Sequence, residues 1–341
     1  MSKSRWFPLL ILLLALNLAG CGTQTSQAPP PSKAALAGDA FAALQEASDK
    51  YLKLNRPLTI SPQEVYEKAV LGGDQSYYLI DLRSDEHYFN AHIPGSIHIG
   101  YADTGKPEKI EYLPKDRKLV LICYSGHTAS QAAALWNMLG YDAVAMQYGM
   151  SGWSKNKDII GGSPLACSAN DFPVVTGVAA ATSFDAPKIE TKAASISELL
   201  LKQSELALEK PVVMQPADLN AKLGSKAPHM IDLRQPEHFA AGHISGAVNI
   251  PFATLAESDS LKKIPADQQV VLIGYDGHAA SQGVRILNQL GYNATALKDG
   301  MIVWTPNEAV IGAKAIACSI TEHPTVKLNA VLKPGPATAA A

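Results

Sequence analysis

The stretch Leu119-Val-Leu-Ile-Cys-Tyr-Ser-Gly-His-Thr-Ala-Ser130 joins four apolar residues to a glycine-containing turn and the start of an apolar helical pattern. Four consecutive apolar residues are typical of a central parallel strand that is covered on both faces. After the turn, apolar residues recur at helical spacing as far as Leu139, and Gly140 follows at the position of a helix C-cap. The stretch therefore predicts a buried strand, a tight turn and a helix.

Cys123 lies at the end of this predicted strand and faces the start of the predicted helix. The first N–H groups of a helix have no intrahelical partner, and the helix dipole adds partial positive charge there. Both effects favour a thiolate over a thiol, so we predict that Cys123 is a nucleophile, ionised and reachable from water. The alternative is a small buried hydrophobic residue at a strand end. Gly126 favours the nucleophile, because glycine lets a loop bring its backbone close to a ligand.

The run Cys123-Tyr-Ser-Gly-His-Thr128 resembles the six-residue active loop of rhodaneses, the thiosulfate sulfurtransferases, especially the small bacterial ones. Upstream, Asp81-Leu82-Arg83 and Ala91-His-Ile-Pro-Gly-Ser96 are similar to two further signatures of that family, in the same order. The resemblance implies sulfur transfer from thiosulfate or a persulfide donor to a thiol or cyanide acceptor, with Cys123 carrying the sulfur. It implies no cofactor.

The proposed reaction needs a thiolate that attacks the outer sulfur of thiosulfate, releases sulfite and holds the sulfur as a persulfide. We assign the groups that stabilise this charge to the backbone N–H groups of the loop. The substrate-binding loop then comprises Tyr124, Ser125, Gly126, His127, Thr128 and Ala129. The hydroxyls of Thr128 and Ser130 either add donors or cap the helix. Many rhodaneses have arginines in this loop, and their absence here predicts weaker attraction for a dianionic donor.

The chain is duplicated. Asp81-Leu-Arg83 recurs 151 positions later as Asp232-Leu-Arg234, and Trp153 recurs at the same offset as Trp304. Strands that alternate with helices in each copy predict an α/β fold with a mainly parallel sheet flanked by helices on both faces. We predict two tandem rhodanese-like domains, residues 39–178 and 195–335, joined by a linker at 179–194 and followed by a disordered tail at 336–341.

The second copy lacks the nucleophile, because the position equivalent to Cys123 is Gly274. In addition, Asp276 replaces Ser125 and brings a carboxylate to where an anionic donor would approach. Activity is therefore predicted for domain 1 only. In the familiar two-domain rhodaneses the C-terminal copy holds the active cysteine, so the order is reversed here.

Residues that both copies share are more simply explained by structure than by catalysis. His127 recurs as His278 beside no nucleophile, which favours hydrogen bonding within the loop over a role as general base. The same reasoning makes Asp81, Arg83 and His92 structural supports. A cysteine phosphatase is excluded by the loop, because that chemistry needs an arginine where Ala129 stands.

The N-terminus has the build of a bacterial lipoprotein signal. Lys3 and Arg5 precede an apolar run over residues 6–19, which is too short to span a bilayer comfortably. Leu18-Ala-Gly-Cys21 resembles a lipobox, which implies a signal peptide at residues 1–20 and lipid on Cys21. A permanent membrane helix is the alternative. Residues 21–38 are polar and proline-rich and predict a flexible tether.

These features predict a protein of the bacterial cell envelope that faces the periplasm. Gly22 is not the aspartate of an inner-membrane retention signal, so the outer membrane is preferred. In this compartment disulfides are permitted, and the equivalent Cys167 and Cys318 either pair, act as resolving thiols, or stay unlinked.

Composition limits the other function classes. A formal net charge of -2 without a basic block argues against nucleic-acid binding. The scattered histidines and the lack of a C-x-x-C motif predict no metal site. The alternative to an enzyme is a non-catalytic, periplasm-facing lipoprotein whose two modules bind sulfur, an oxyanion or a partner protein.

Overall fold

The structure is a computed structural model that describes residues 39–54, 56–166, 168–177, 182–224, 226–314 and 320–328. The predicted signal peptide, the tether, the tail at 336–341 and the residues Cys21, Cys167 and Cys318 lie outside this part of the chain. Within it, no helix has both the length and the apolar character needed to cross a bilayer.

Domain 1 denotes the elements from α1 to α7. Its strands are β1 (Thr59–Ile60), β2 (Tyr77–Asp81), β3 (Ile97–His98), β4 (Lys118–Ile122) and β5 (Asp142–Met146). Its helices are α1 (Ala40–Leu52), α2 (Pro62–Glu64), α3 (Asp85–Asn90), α4 (Pro107–Ile110), α5 (His127–Met138), α6 (Gly149–Trp153) and α7 (Lys157–Ile160), with a π-helical segment at Val65–Leu71 and a 3₁₀ turn at Tyr101–Asp103.

Domain 2 denotes the elements from α8 to α14. Its strands are β6 (Val213–Met214), β7 (His229–Asp232), β8 (Ala247–Asn249), β9 (Gln269–Ile273) and β10 (Asn293–Leu297). Its helices are α8 (Ile196–Ala207), α9 (Pro216–Lys222), α10 (Pro236–Ala241), α11 (Ser258–Leu261), α12 (His278–Gln289), α13 (Met301–Trp304) and α14 (Glu308–Ile311), with a 3₁₀ turn at Phe252–Thr254.

Each domain contains one five-stranded sheet, with strand orders β1-β5-β4-β2-β3 and β6-β10-β9-β7-β8. All the strand pairs are parallel, and in domain 1 Asp81 at the end of β2 is in register with Ile122 at the end of β4. This confirms the predicted α/β fold in both copies. Cys123 therefore follows the central strand of its sheet, where the carboxyl ends of parallel strands meet.

Local sequence signals explain most helix starts. Ser61 accepts a hydrogen bond from Glu64 N at 3.1 Å and is followed by Pro62 at the first helical position. The α-helical turn that begins at this cap ends at Glu64, and the chain continues as a π-helix. The strand β1 was not predicted, because two residues are too few to show a period of two.

Alternation along β4 divides the interior into separate cores. Leu119, Leu121 and Cys123 belong to a central core, whereas Val120 and Ile122 belong to an outer core of domain 1. The central core contains buried residues of both domains, including much of α5 and α12. Domain 2 has an outer core of its own. The two copies thus share one interior, and Cys123 lies on the shared side.

The two domains also exchange chain segments. Residues 168–177, the first strap, lie against domain 2: the Phe172 ring is 5.0 Å from the Trp304 ring, and Trp304 Nε1 donates to Pro173 O at 3.1 Å. Val175 forms an antiparallel bridge with His243. The first strap thus follows domain 1 in sequence but is part of the packing of domain 2.

Residues 320–328, the second strap, make the reciprocal contacts with domain 1. Trp153 Nε1 donates to Pro324 O at 3.0 Å, and the His323 ring lies 4.7 Å from the Trp153 ring. Val326 bridges His92, which also hydrogen-bonds Tyr88 O at 2.8 Å. The recurrence of Trp153 as Trp304 reflects this reciprocal packing.

The strap exchange gives a test with opposite outcomes for the two tryptophans. Trp304→Phe removes the hydrogen bond to Pro173 and should destabilise the fold by about 1–2 kcal/mol. We expect limited proteolysis to cleave residues 168–177 faster in Trp304→Phe, and residues 320–328 faster in its matched control Trp153→Phe. Packing of each strap on its own domain would give the reverse pattern.

Candidate active site

The Cys123 sulfur is held by backbone donors of the loop that starts α5. Gly126 N donates to Cys123 Sγ at 3.0 Å, and Ala129 N donates to it at 3.4 Å. Both N–H groups belong to the first turn of the helix or its cap, where they lack intrahelical partners. Gly126 has a φ of +87°, a conformation that glycine adopts without strain. The loop can therefore stabilise negative charge on sulfur.

A second loop, after β5, fixes the backbone of Cys123 from behind. Met150 N donates to Cys123 O at 2.7 Å, and Ser151 N donates to Tyr124 O at 2.9 Å. A Cβ atom added to Gly149 would lie 2.2 Å from Cys123 O, so only glycine allows this approach. Two chain segments thus determine the position of the nucleophile candidate.

Tyr124 ties the loop to the start of α3. Its hydroxyl accepts a hydrogen bond from Ser84 N at 3.1 Å and contacts His87 Nδ1 at 2.7 Å. His87 was not among the site residues predicted from the sequence, although the recurrence at an offset of 151 positions contains the signal: His238 contacts Tyr275 Oη in domain 2 at 2.6 Å. Tyr124, Ser125 and Thr128 are half-buried and form the outer side of the loop.

Arg83 and Asp81 lie inside the framework behind the loop. The Arg83 guanidinium bonds both Asp81 oxygens, at 2.7 Å for the shortest contact, and donates to Ile159 O and Ala91 O. Both side chains are fully buried. Arg234 and Asp232 repeat the arrangement in domain 2. The pair thus joins the end of β2 to α7 and to the chain after α3.

The two loop histidines each reach into the other domain, and we call this pair of contacts the histidine interlock. His127 Nδ1 lies 2.8 Å from Ser281 Oγ, and Asp299 N donates to His127 Nε2 at 3.3 Å. His278 Nδ1 lies 3.0 Å from Ser130 Oγ, and Tyr148 N donates to His278 Nε2 at 3.2 Å. Both ring nitrogens of each histidine are therefore engaged across the domain interface.

The histidine rings of the interlock pack closely against the loop glycines Gly126 and Gly277. A Cβ atom on Gly126 would lie 2.2 Å from His278 Cε1, and one on Gly277 would lie 2.5 Å from His127 Cε1. His127 was predicted to hydrogen-bond within its own loop, whereas its side-chain contacts cross to domain 2. The reason is that the loops of both copies face each other at the shared core.

Burial of the sulfur differs from our expectation. We expected Cys123 to be reachable from water, but only 1% of the residue is exposed. Cys123 has the same orientation along β4 as Leu119 and Leu121, so its side chain faces the central core rather than solvent. This core is built from residues of the domain's own helix α5 together with residues of α12 in domain 2, and Cys123 is buried within it.

In domain 2 the equivalent loop carries no sulfur. Asp276 Oδ1 accepts a hydrogen bond from His278 N at 3.1 Å, and Gln147 of domain 1 donates to Asp276 Oδ2 at 3.5 Å. The carboxylate is thus engaged at the domain interface. In the described ranges, no group of three or more His, Cys, Asp or Glu side chains is arranged to hold a metal ion.

The chain matches one known protein family at two places. The family described as Rhodanese-like domain covers residues 61–156 and 215–307, one match for each sheet. The chain belongs to the rhodanese family. Family membership supports a sulfur-transfer role in general.

Individual relatives are similar to part of this rhodanese. The putative sulfurtransferase YtwF of Bacillus subtilis is 36% identical over 86 residues, which cover 25% of this chain and 82% of YtwF. The thiosulfate sulfurtransferase PspE of Escherichia coli is 34% identical over 77 residues, 21% of this chain and 74% of PspE. Several other relatives match over less than half of their own length. A solved rhodanese-like domain protein of Staphylococcus aureus is 26% identical, with a TM-score of 0.26, and covers 27% of this chain and 90% of that protein.

The histidine interlock predicts how the stability of this rhodanese depends on pH. Burial lowers the pKa of His278, and the neighbouring His127 lowers it further, while Asp276 and Asp299 oppose the shift. Below about pH 6.5 the unfolded chain then binds a proton that the folded chain does not, so stability falls as pH drops. The slope attributable to His278 is at most about 1.4 kcal/mol per pH unit.

We expect the free energy of unfolding, measured with urea at pH 7, 6 and 5, to decrease over this range. Burial also lowers the pKa of His229 and His323, which act in the same direction. His278→Asn should therefore flatten the dependence without abolishing it. An unchanged slope in that variant would contradict the assignment of a neutral His278 in the folded protein.

Proposed function

We propose that this rhodanese is an exported, lipid-anchored sulfurtransferase whose activity resides in domain 1. Cys123 would accept a sulfane sulfur from thiosulfate or a persulfide donor and pass it to a thiol or cyanide. The observation that carries the proposal is the pair of backbone N–H groups, from Gly126 and Ala129, that point at Cys123 Sγ. Such donors stabilise a sulfur anion, which is the reactive state of both the thiol and the persulfide.

The chemistry follows two balanced displacements. The Cys123 thiolate attacks the outer sulfur of thiosulfate; a Cys123 S–S bond forms, the S–S bond of thiosulfate breaks, and sulfite leaves with the electron pair. An acceptor thiolate or cyanide then attacks the outer sulfur of the persulfide, and the Cys123 thiolate leaves. The N–H groups of Gly126 and Ala129 hold the negative charge in each thiolate state.

Donor and acceptor would approach from the outer side of the loop. Tyr124, Ser125 and Thr128 are half-buried there, whereas the opposite side of Cys123 faces the central core. Domain 2 would not transfer sulfur, because Gly274 offers no nucleophile. Its loop is instead engaged in the interface through Asp276 and His278.

We further propose that lipid on Cys21 anchors the protein in the bacterial cell envelope, facing the periplasm and preferably at the outer membrane. The sequence Leu18-Ala-Gly-Cys21 supports this proposal. Replacing Cys21 with alanine should move the protein from the membrane fraction to a soluble fraction. Retention of that variant in the membrane would favour an uncleaved membrane helix instead.

Mass spectrometry of the full chain after exposure to thiosulfate tests the sulfur-transfer proposal. We expect one added sulfur on the Cys123 peptide, removed by cyanide with release of thiocyanate. The Cys123→Ser protein should gain none at this peptide. Sulfur added elsewhere, with Cys123 unmodified, would contradict the assignment of the site.

A second candidate function is favoured by the 1% exposure of Cys123. In this alternative the protein is a non-catalytic envelope lipoprotein that binds sulfur, an oxyanion or a partner protein through its rhodanese-like domains. Absence of both the persulfide and thiocyanate in the wild-type protein would favour it over the enzyme.

A further inference from the structure

The two halves of the central core differ at two positions near the Cys123 side. Tyr101 of domain 1 corresponds to Phe252 of domain 2, and Arg285 on α12 corresponds to Ala134 on α5, each pair at the offset of 151. The polar cluster that Tyr101 and Arg285 form therefore occurs on the side of the core that carries the cysteine. The side that carries Gly274 has phenylalanine and alanine at these positions and no arginine, and Gln282, the counterpart of Gln131, is bonded by Tyr51 Oη at 2.6 Å.

This cluster crosses the domain interface through direct hydrogen bonds. Arg285 Nη2 donates to Tyr101 Oη at 2.9 Å, and Tyr101 Oη donates to Gln131 Oε1 at 2.6 Å. Arg285 Nη1 donates to Ser204 O at 3.4 Å. Gln131 lies on α5 soon after the Cys123 loop. A cation of domain 2 is thus connected to α5, the helix that follows the Cys123 loop.

Arg285 is fully buried, yet no carboxylate pairs with it in the described ranges. Its Nε and the Nε2 of Gln131, which is 2% exposed, have no hydrogen-bond partner among these residues. A buried guanidinium remains charged, and burying it without an anion is costly. We therefore expect an arginine in this position to stabilise an anion that forms nearby.

The electrostatics of Tyr101 relate this cluster to the sulfur. Burial raises the pKa of Tyr101, the Arg285 guanidinium lowers it, and negative charge on Cys123 raises it. The backbone also places Tyr101 near the end of β4: Tyr101 N donates to Leu82 O at 3.0 Å, and Leu82 N donates to Ile122 O, the residue before Cys123, at 2.7 Å. Tyr101 also packs against the central core that contains Cys123.

We propose that domain 2, although it lacks a nucleophile, supplies Arg285 to the site in domain 1. Through Tyr101 and Gln131, the guanidinium stabilises negative charge on Cys123 as thiolate and as persulfide. The inference rests on the proposed function, and it makes Arg285 a positioning residue rather than a catalytic one. It also gives a reason for the buried position of the sulfur, because the cation acts more strongly away from water.

Other groups around the loop are accounted for separately. The charged and titratable side chains on the elements around the Cys123 loop include Asp81, Arg83, His87, Tyr101, Tyr124, His127, Tyr148, Asp276, His278, Arg285 and Asp299. His127, His278 and Asp299 belong to the histidine interlock, and within the described residues none of their hydrogen bonds or ion pairs involves Arg285. Replacing Arg285 therefore leaves the interlock in place.

The test measures the rate at which iodoacetamide alkylates Cys123 as a function of pH, followed on the Cys123 peptide by mass spectrometry. The proteins are the full-length wild type, Arg285→Met, Tyr101→Phe and Lys210→Met. Arg285→Met keeps much of the side-chain volume, and Tyr101→Phe reproduces the residue of domain 2. Lys210 is the matched control: a partly buried cation of domain 2 that bonds Asn288 Oδ1 and Tyr292 O.

We expect the midpoint of the pH–rate profile to move up by roughly one pH unit in Arg285→Met. Tyr101→Phe should give a smaller upward shift, and Lys210→Met none. Thermal unfolding should show that Arg285→Met is no less stable than the wild type, because it removes an unpaired buried charge. A purely structural arginine would give the opposite combination, lower stability with an unchanged profile.

The outcomes separate this inference from the proposed function. If the wild type forms the persulfide but Arg285→Met keeps the wild-type midpoint, the role of Arg285 is overturned and sulfur transfer stands. If the midpoint shifts but the wild type forms no persulfide, sulfur transfer is overturned and the electrostatic role of Arg285 stands. A wild-type Cys123 that neither reacts with iodoacetamide at any pH nor forms the persulfide would overturn both.

Discussion

Cys123→Ser should lower the rate of thiocyanate formation from thiosulfate and cyanide by about a thousandfold or more. A serine hydroxyl is not ionised near neutral pH and cannot carry sulfur as a persulfide, so both displacements are lost. The substitution keeps the size of the side chain and the acceptor for Gly126 N, so the fold should be retained. Steady-state assays with the purified full chain, with unfolding curves as the control, measure the effect. Equal rates in the wild type and Cys123→Ser would contradict the assignment of Cys123 as the nucleophile.

A cysteine placed in domain 2 is the matched companion to this experiment. A Cβ atom on Gly274 would meet nothing closer than Ala280 N at 3.4 Å, so Gly274→Cys is sterically acceptable. Its sulfur would face the N–H groups of Gly277 and Ala280, the counterparts of Gly126 and Ala129. Asp276 and Phe252 nevertheless differ from Ser125 and Tyr101 of domain 1.

In the Cys123→Ser background we therefore expect Gly274→Cys to restore less than about a tenth of the wild-type rate of thiocyanate formation. The reason is that the Asp276 carboxylate would lie near the new cysteine and disfavour its thiolate. Adding Asp276→Ser should raise the restored rate. Full restoration by Gly274→Cys alone would show that the loop backbone is sufficient, and that the features specific to domain 1 contribute little.

Gly126→Ala should destabilise the protein by about 2–5 kcal/mol, the largest effect we expect on folding. The left-handed backbone at φ +87° accounts for about 1–2 kcal/mol. The clash of the new methyl group with His278 Cε1, which would be 2.2 Å away, accounts for about 1–3 kcal/mol more. Urea unfolding of the full chain measures the sum. We also expect the Gly126→Ala protein to lose sulfurtransferase activity, because the clash with His278 would displace the loop that holds Cys123.

Two further glycines separate these contributions. Gly140 has a φ of +90° and nothing within 4 Å of an added Cβ, so Gly140→Ala should cost only the backbone term of about 1–2 kcal/mol. Gly277 faces His127 at 2.5 Å, so Gly277→Ala should resemble Gly126→Ala. Equal costs at Gly126 and Gly140 would contradict the packing of His278 on the loop.

Several parts of the fold could be predicted because their signals are local. The apolar run before Cys123, the helical spacing after it, and the recurrence of Asp81-Leu-Arg83 predicted two parallel α/β domains, and family comparison and sheet topology confirm them. Very short edge strands such as β1 could not be predicted, because two residues are too few to show the alternation of apolar and polar residues that marks a strand.

The roles of the shared histidines could be predicted only in part. Recurrence at one offset indicated that His127 and His278 serve structure, but it carried no information on the partner. The partners Ser281 and Ser130 belong to the opposite domain, more than 140 positions away in sequence. His92 was assigned to structural support by the same recurrence, while its contact with Val326 of the second strap came only from the structure.

The sequence by itself determined the duplication, the α/β class of each copy and the position of a single loop cysteine at a strand end. These follow from residue periodicity and short motifs, which act over a few neighbouring residues. Tertiary structure alone decided that the two copies share a core and exchange straps, and that Cys123 is buried in this shared core. Such contacts depend on how two complete surfaces fit together, and neither copy contains that information in its local sequence.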